Sequence, residues 1–122
     1  MAYYWQQVTM EFVETPVFTK LVLDLFSDDE YRELQARLAQ YPDSGVVIQD
    51  ASGLRKIRWA AKGQGKRGGV RVIYYFHSER IPLFLLTVYA KNQKANLTKA
   101  ERNEFKKLVP ILLRTYAKGR KL

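Results

Sequence analysis

A chain of 122 residues, 47% hydrophobic and 27% charged, has the size and composition of one folded domain with material for a real core. It has no cysteine and a single histidine, His77, which excludes disulfides, thiolate metal sites, cysteine nucleophiles and any paired-histidine centre. The net charge of +9 is unevenly held: residues 1–50 carry three basic and nine acidic side chains, a net of −6, and residues 51–122 carry eighteen and three, a net of +15.

The opening MAYYWQQVTMEF lacks the basic stretch and apolar core of a signal peptide, and no apolar run is long enough to span a bilayer. A soluble, cytoplasmic protein is therefore expected. VTMEFVETP alternates apolar and polar residues and predicts a strand near Val8–Val13. Pro16 can open a helix that spaces Val17, Phe18, Leu21, Val22 and Leu25 along one face. In SDDEYRELQARLAQYP, Ser27 and Glu30 form a capping box, Asp28 and Asp29 suit the helix dipole, and Tyr31, Leu34, Leu38 and Tyr41 make an apolar stripe that Pro42 ends.

A short strand is expected at Val46–Ile48 between two turns. Three longer candidates follow at Leu54–Ala60, Val70–Phe76 and Leu83–Tyr89, wired most simply as antiparallel neighbours. After Asn96, Thr98 and Glu101 make a second capping box for a closing helix, which Pro110 should kink or divide. The pattern is α+β: an N-terminal strand, two helices, a curved antiparallel sheet and a C-terminal helix in a single domain, residues 1–122.

The charge concentrates in LRKIRWAAKGQGKRGGVRVIYYF, where seven Lys or Arg lie between Arg55 and Arg71 with no acid among them. Alternate strand residues share a face. If the strands bury Ile57, Trp59, Val70, Val72 and Tyr74, then Lys56, Arg58 and Arg71 converge on the other side. Lys91 shares parity with Thr87 and Tyr89 and is expected to join them. Cations beside aromatic rings suit a phosphate and its base. The loop AAKGQGKRGG adds Lys62, Lys66 and Arg67 and glycines that admit a close phosphate, but it lacks the order of a Walker loop. From composition alone a polyanion site competes with a solvated, aggregation-resistant edge, and an anionic membrane or an acidic protein would feel the same field. His77, in the turn HSER, reads as an exposed structural residue; Trp59 and Tyr74 read as core.

GLRKIR, the loop AAKGQGKRGG, VRVIYYF and LLTVYAKN, in that order, resemble the RelE/HigB superfamily of bacterial type II toxins, above all its HigB-like branch. The likeness runs from about Phe12 to the closing helix, leaving residues 1–7 as an N-terminal extension. It implies the RelE-like microbial RNase fold and a ribosome-dependent endoribonuclease that cuts mRNA in the decoding site. It also implies neutralisation by a cognate antitoxin, expected to be a helix-turn-helix protein. Matched residue by residue, Lys56, Arg58, Arg71 and Lys91 are the catalytic candidates. Arg55, Lys62, Lys66 and Arg67 are the candidates for gripping mRNA and ribosomal RNA. Some relatives carry a tyrosine shortly after the last strand; NQKANLTKAE has none, which leaves Tyr75 or Tyr89 to meet a base.

RNA supplies its own nucleophile, so such cleavage calls for no metal and no cofactor. Arginine stays charged and suits the transition-state phosphate, whereas Lys56 or Lys91 is the better proton-transfer group. A non-catalytic RNA- or ribosome-binding module with the same electrostatics is the competing reading, and a protein that meets an acidic partner is the third.

Overall fold

The computed structural model describes residues 10–61 and 69–117. The expected loop residues Lys62, Lys66 and Arg67 and the extension 1–7 lie outside them. The chain runs β1 (Phe12–Glu14), α1 (Pro16–Leu25), α2 (Asp28–Gln40), β2 (Val46–Val47), β3 (Arg55–Trp59), β4 (Val70–Tyr75), β5 (Leu83–Ala90) and α3 (Lys99–Ala117). The first strand begins later than Val8, and the residues 8–9 of the expected strand fall outside the described part.

The helices start where local chemistry allows. Thr15 caps α1 by accepting from the Phe18 amide at 3.1 Å, and Pro16 occupies the first turn, where no amide donor is required. Ser27 and Glu30 close their capping box at 3.1 and 2.8 Å, and Thr98 and Glu101 close theirs at 3.0 and 2.8 Å. Of the predicted α2 stripe, Leu34 and Leu38 are buried and Tyr31 half-buried, while Tyr41 is exposed at the C-cap. Pro110 does not divide α3; it sits on the exposed side, where the carbonyl deprived of its amide partner can be hydrated.

One sheet in the order β1-β5-β4-β3-β2 carries the fold. β2, β3, β4 and β5 pair antiparallel as expected, but β1 lies parallel to β5, so the sheet is mixed. The reason is topological: α1 and α2 cross over one face and return the chain at the far edge. That face buries Phe18, Val22, Phe26, Leu34 and Leu38 against Ile57, Val70, Val72, Tyr74, Leu85 and Val88. On the other face α3 lays Phe105, Leu108, Val109, Leu112 and Tyr116, at helical spacing, over Leu54, Ile73, Phe84 and Leu86. β5 is therefore buried along its whole length.

Two backbone features set the geometry above α3. Between Ile73 and Tyr74 the β4–β5 register slips by one: Ile73 faces Thr87, whereas Tyr74 faces Leu85. Leu86 is the extra residue of a bulge. Its carbonyl accepts from the Thr15 hydroxyl at 2.7 Å, while Leu85 O accepts from the Thr15 amide at 3.1 Å. At the neck of the β3–β4 hairpin, Gly69 adopts φ +56, and an added Cβ would lie 2.3 Å from Trp59 O, so only glycine fits there.

Thr15 thus joins the bulge to the helix start. Thr15→Val should cost about 1–2 kcal/mol, because it removes the cap and the bond to Leu86 together. The check is a shift of the urea midpoint at unchanged m-value; a loss no greater than that of an exposed threonine would contradict this role.

Candidate active site

The register assembles the basic side chains. Arg58 on β3 stands opposite Arg71 on β4, which stands opposite Tyr89 on β5. The adjacent row on the same face is Lys56, Ile73 and Thr87. Directly opposed Cα atoms lie about 5 Å apart, and the two rows about 7 Å, so Lys56, Arg58, Arg71 and Tyr89 occupy a patch the width of a nucleotide. The apolar core under α3 includes Ile73 but no member of the outer row, which runs from exposed Arg58 to buried Tyr89. Arg58 is exposed and Arg71 half-buried, its guanidinium reaching Val70 O at 3.5 Å.

Like charges set directly across a ladder oppose folding, so the sheet holds Arg58 and Arg71 together at a cost. Lys56 is half-buried and donates to Asn96 Oδ1 at 3.3 Å. Lys91 lies just past β5, exposed, its amide bonded to Gly69 O at 3.1 Å; it borders the row from the hairpin end.

The bulge decides where Tyr89 points. Leu83 and Leu85 belong to the core under α1 and α2, and strict alternation would send Tyr89 there too. The extra residue reverses the parity, so that Val88 enters that core and Tyr89 joins Arg71. Tyr89 is 7% exposed, and its hydroxyl has no hydrogen-bond partner among the described residues. The Lys94 ammonium stands 5.3 Å from its ring centroid and pairs with Glu101 at 2.5 Å. Burial raises the Tyr89 pKa from 10.0, the Arg71 charge pulls it back and Glu101 adds to the rise. Burial also opposes ionisation of Glu101, but Lys94 and the Thr98 amide outweigh it and hold the carboxyl below its usual 4.5.

Other sequence candidates stand elsewhere. Arg55 projects to the opposite face, where it donates to the carbonyls of Gly45 at 2.7 Å and Asp43 at 3.3 Å. There it braces the same turn that Tyr74 holds through Gly45 N and Pro42 O, both at 2.8 Å. Tyr75 shares the face of Arg71 but lies four residues along β4, about 13 Å away, packed beneath α3 with its hydroxyl 3.4 Å from His77 Nδ1. His77 is exposed at that far end. Among the described residues, no group of three or more His, Asp or Glu could hold a metal ion.

A family model described as the RelE toxin of the RelE / RelB toxin-antitoxin system matches residues 43–119. The chain belongs to the RelE toxin family. Toxins of the RelE family are generally endoribonucleases that inhibit translation, and membership implies an antitoxin partner and an RNA target. The matched span holds Lys56, Arg58, Arg71, Tyr89 and Lys91, so the RelE-type part of the chain contains the whole cation patch. No helix among the described residues is long and apolar enough to cross a membrane.

Sequence reasoning overlooked Asn96 and Arg102, which stand beside Lys56 and Tyr89 around one cavity. A signal existed for Arg102: it is a cation in the first turn of α3, where the helix dipole favours acids.

Two outcomes follow for the tyrosines. Burial is the leading cause of raised pKa values at Tyr31, Tyr74, Tyr75 and Tyr89. Their contribution to stability is complete below the unfolded value of 10.0 and is lost as pH rises through the raised values, so alkaline unfolding should coincide with late phenolate absorbance. Tyr89→Phe removes an unpartnered hydroxyl and should raise stability by about 1 kcal/mol in urea titration. A drop in stability would mean that the hydroxyl is bonded in solution.

Proposed function

We propose that this protein cuts mRNA in the decoding site of the small ribosomal subunit, with the ribose 2′-OH as nucleophile. The observation that carries this reading is the Arg58–Arg71 pair, one residue exposed and the other half-buried, bordered by Lys56 and flanked by Tyr89. In the reaction the 2′ oxygen bonds to the adjacent phosphorus and the bond to the 5′ oxygen breaks. The 2′ proton leaves to a base and the 5′ oxygen gains one, so the products are a cyclic phosphate and a 5′-hydroxyl end. The protein must align the hydroxyl with the phosphate and neutralise the added charge.

Arg58 and Arg71 do the second task. Arginine keeps its charge and presents a fork that matches two phosphate oxygens. Lys56, tethered through Asn96 at the edge of the row, is the proton-transfer group, with Lys91 serving the outer side. Tyr89 stands in line with Arg71, but it is 7% exposed with its hydroxyl buried, so it backs the patch rather than donating to the nucleotide. The loop cations Lys62, Lys66 and Arg67 grip ribosomal RNA in this reading. A patch of cations without a histidine base is a weak catalyst alone, so the ribosome supplies part of the alignment by holding the mRNA bent. The cognate antitoxin is proposed to be a helix-turn-helix protein, and the site of action cytoplasmic.

Arg71→Ala should lower cleavage of translated mRNA by about 10²–10³-fold, the usual cost of removing one donor to a developing charge, with the fold retained. Arg71→Lys should fall between, because it keeps the charge and loses the fork. Cleavage mapped on translating ribosomes provides the measurement, with naked RNA expected to survive. Rapid digestion of naked RNA would overturn ribosome dependence. Undiminished toxicity of Arg71→Ala would favour a non-catalytic ribosome-binding module.

A further inference from the structure

Tyr89 borders open space on two sides. Toward β3 it walls the cavity of about 300 Å³ that Lys56 also lines. Toward α1 it walls a second, of about 370 Å³, together with Leu21, Leu25, Gln93, Lys94 and Glu101. The side chain is nonetheless 7% exposed, and its hydroxyl has no partner among the described residues. A buried ring between two voids lacks the close contacts that fix an ordinary core side chain.

What fixes this ring is electrostatic. The Lys94 ammonium stands 5.3 Å from its centroid, within reach of the negative ring face. That ammonium is itself held, for it donates to Glu101 Oε2 at 2.5 Å, and the Lys94 amide is tied to Ala90 O at 3.2 Å. Glu101 is held in turn, because its other oxygen accepts from the Thr98 amide at 2.8 Å. The carboxylate belongs to α3, the ammonium to the turn after β5 and the ring to β5, so three parts of the fold meet in one chain of contacts. Arg71, opposite Tyr89 in the ladder, is its next member.

The helix start does not need this lysine. The capping box of Thr98 and Glu101 closes without it, and a glutamine at that position would serve as well. The two side chains are 30% and 37% exposed, and such a pair adds little to stability. What the pair does beyond folding is to seat a cation on the ring behind Arg71.

We propose that Lys94 and Glu101 are positioning residues: their ion pair clamps the Tyr89 ring behind Arg71 and thereby keeps the guanidinium aimed at the phosphate. Neither residue touches the RNA; both act through the ring. The clamp rests on the phosphate-binding reading of Arg58 and Arg71. It differs in sign from a simple electrostatic role. Glu101→Gln frees Lys94 and adds one positive charge, so a lysine that merely attracts RNA would then bind it more tightly. A clamp released in this way loses alignment instead.

Four variants of the full chain separate the clamp from the helix start. Glu101→Gln keeps an oxygen for the Thr98 amide and loses the ion pair. Lys94→Met keeps the stem and loses the charge, whereas Lys94→Arg keeps both the pair and the cation on the ring. Thr98→Ala weakens the cap and leaves the pair. On translating ribosomes, Glu101→Gln and Lys94→Met should each slow cleavage at saturation by about tenfold, with the half-saturating protein concentration unchanged. Lys94→Arg and Thr98→Ala should cleave like wild type, the latter losing stability alone. Faster cleavage or tighter ribosome binding by Glu101→Gln, or an equal loss of cleavage in Thr98→Ala, would overturn the clamp.

The second arm needs no cleavage. Its probe is the deoxydinucleotide thymidylyl-thymidine, which has a phosphodiester and no 2′-OH, followed by NMR of the Arg71 guanidinium and the Tyr89 ring. The free-protein ring signals should move in Glu101→Gln and Lys94→Met and stay in place in Thr98→Ala. The probe should shift Arg71 in wild type at concentrations several-fold below those needed in the two clamp variants. That result without any cleavage by wild type would sink the RNA-cleavage reading and leave the clamp standing at an anion site. Cleavage by wild type, with Arg71 responding alike in every variant, would keep the enzyme and remove the clamp.

Discussion

Everything above the helix-covered half of this sheet depends on one extra residue in β5. Leu86 interrupts the ladder, and the Thr15 hydroxyl fixes its carbonyl. Below the bulge, β5 deals its side chains evenly to the two cores. Above it the parity is reversed, and Tyr89 stands in line with Arg71 and Arg58. A bulge bends and twists a strand locally, which suits a strand that must serve a core at one end and a working surface at the other. The same threonine caps α1, so the crossover that makes β1 parallel to β5 is anchored at the point where the ladder changes step.

The outer row is a surface that folding alone would not select. Two arginines oppose one another across the ladder, and beside them a tyrosine hydroxyl is buried with no partner among the described residues. Each departs from local consistency, and such departures gather at functional positions. The opposite face shows the contrast. There Arg55 and Tyr74 spend their polar atoms on the carbonyls and amide of the turn at residues 42–45, so their hydrogen-bonding capacity is used in holding the chain.

Much of this was legible in sequence where the determinants are local. Both capping boxes, the helix start at Pro16 and the alternation in β3 and β4 depend on neighbours within a few residues, and Lys56, Arg58 and Arg71 were placed on one face by counting alone. Alternation also put Tyr75 on the side of Arg71, whereas Arg55, expected among the RNA-gripping residues, turned out to brace the turn on the opposite face. That the Tyr75 end is roofed is a fact about α3, which joins from thirty or so residues away in sequence and has no local signature at Tyr75. The parallel β1 pairing and the bulge were hidden for the same reason, since each is settled between segments some seventy residues apart. Asn96 and Arg102 belong to a cavity that exists only after β5, β3 and α3 have met.

The neck of the β3–β4 hairpin bears on how such a protein can change over generations. Trp59 pairs with Val70, Gly69 is forced by the Trp59 carbonyl, and the Lys91 amide ties Gly69 to the end of β5. The chain therefore leaves β3 and enters β4 at two pinned points, whatever lies between residues 62 and 68. The rows of Arg58 and Lys56 thus take their register from residues outside that stretch. The two strands are in that sense held in step at the neck itself, so that a lineage which inserts or deletes residues between the pinned points keeps the ladder intact.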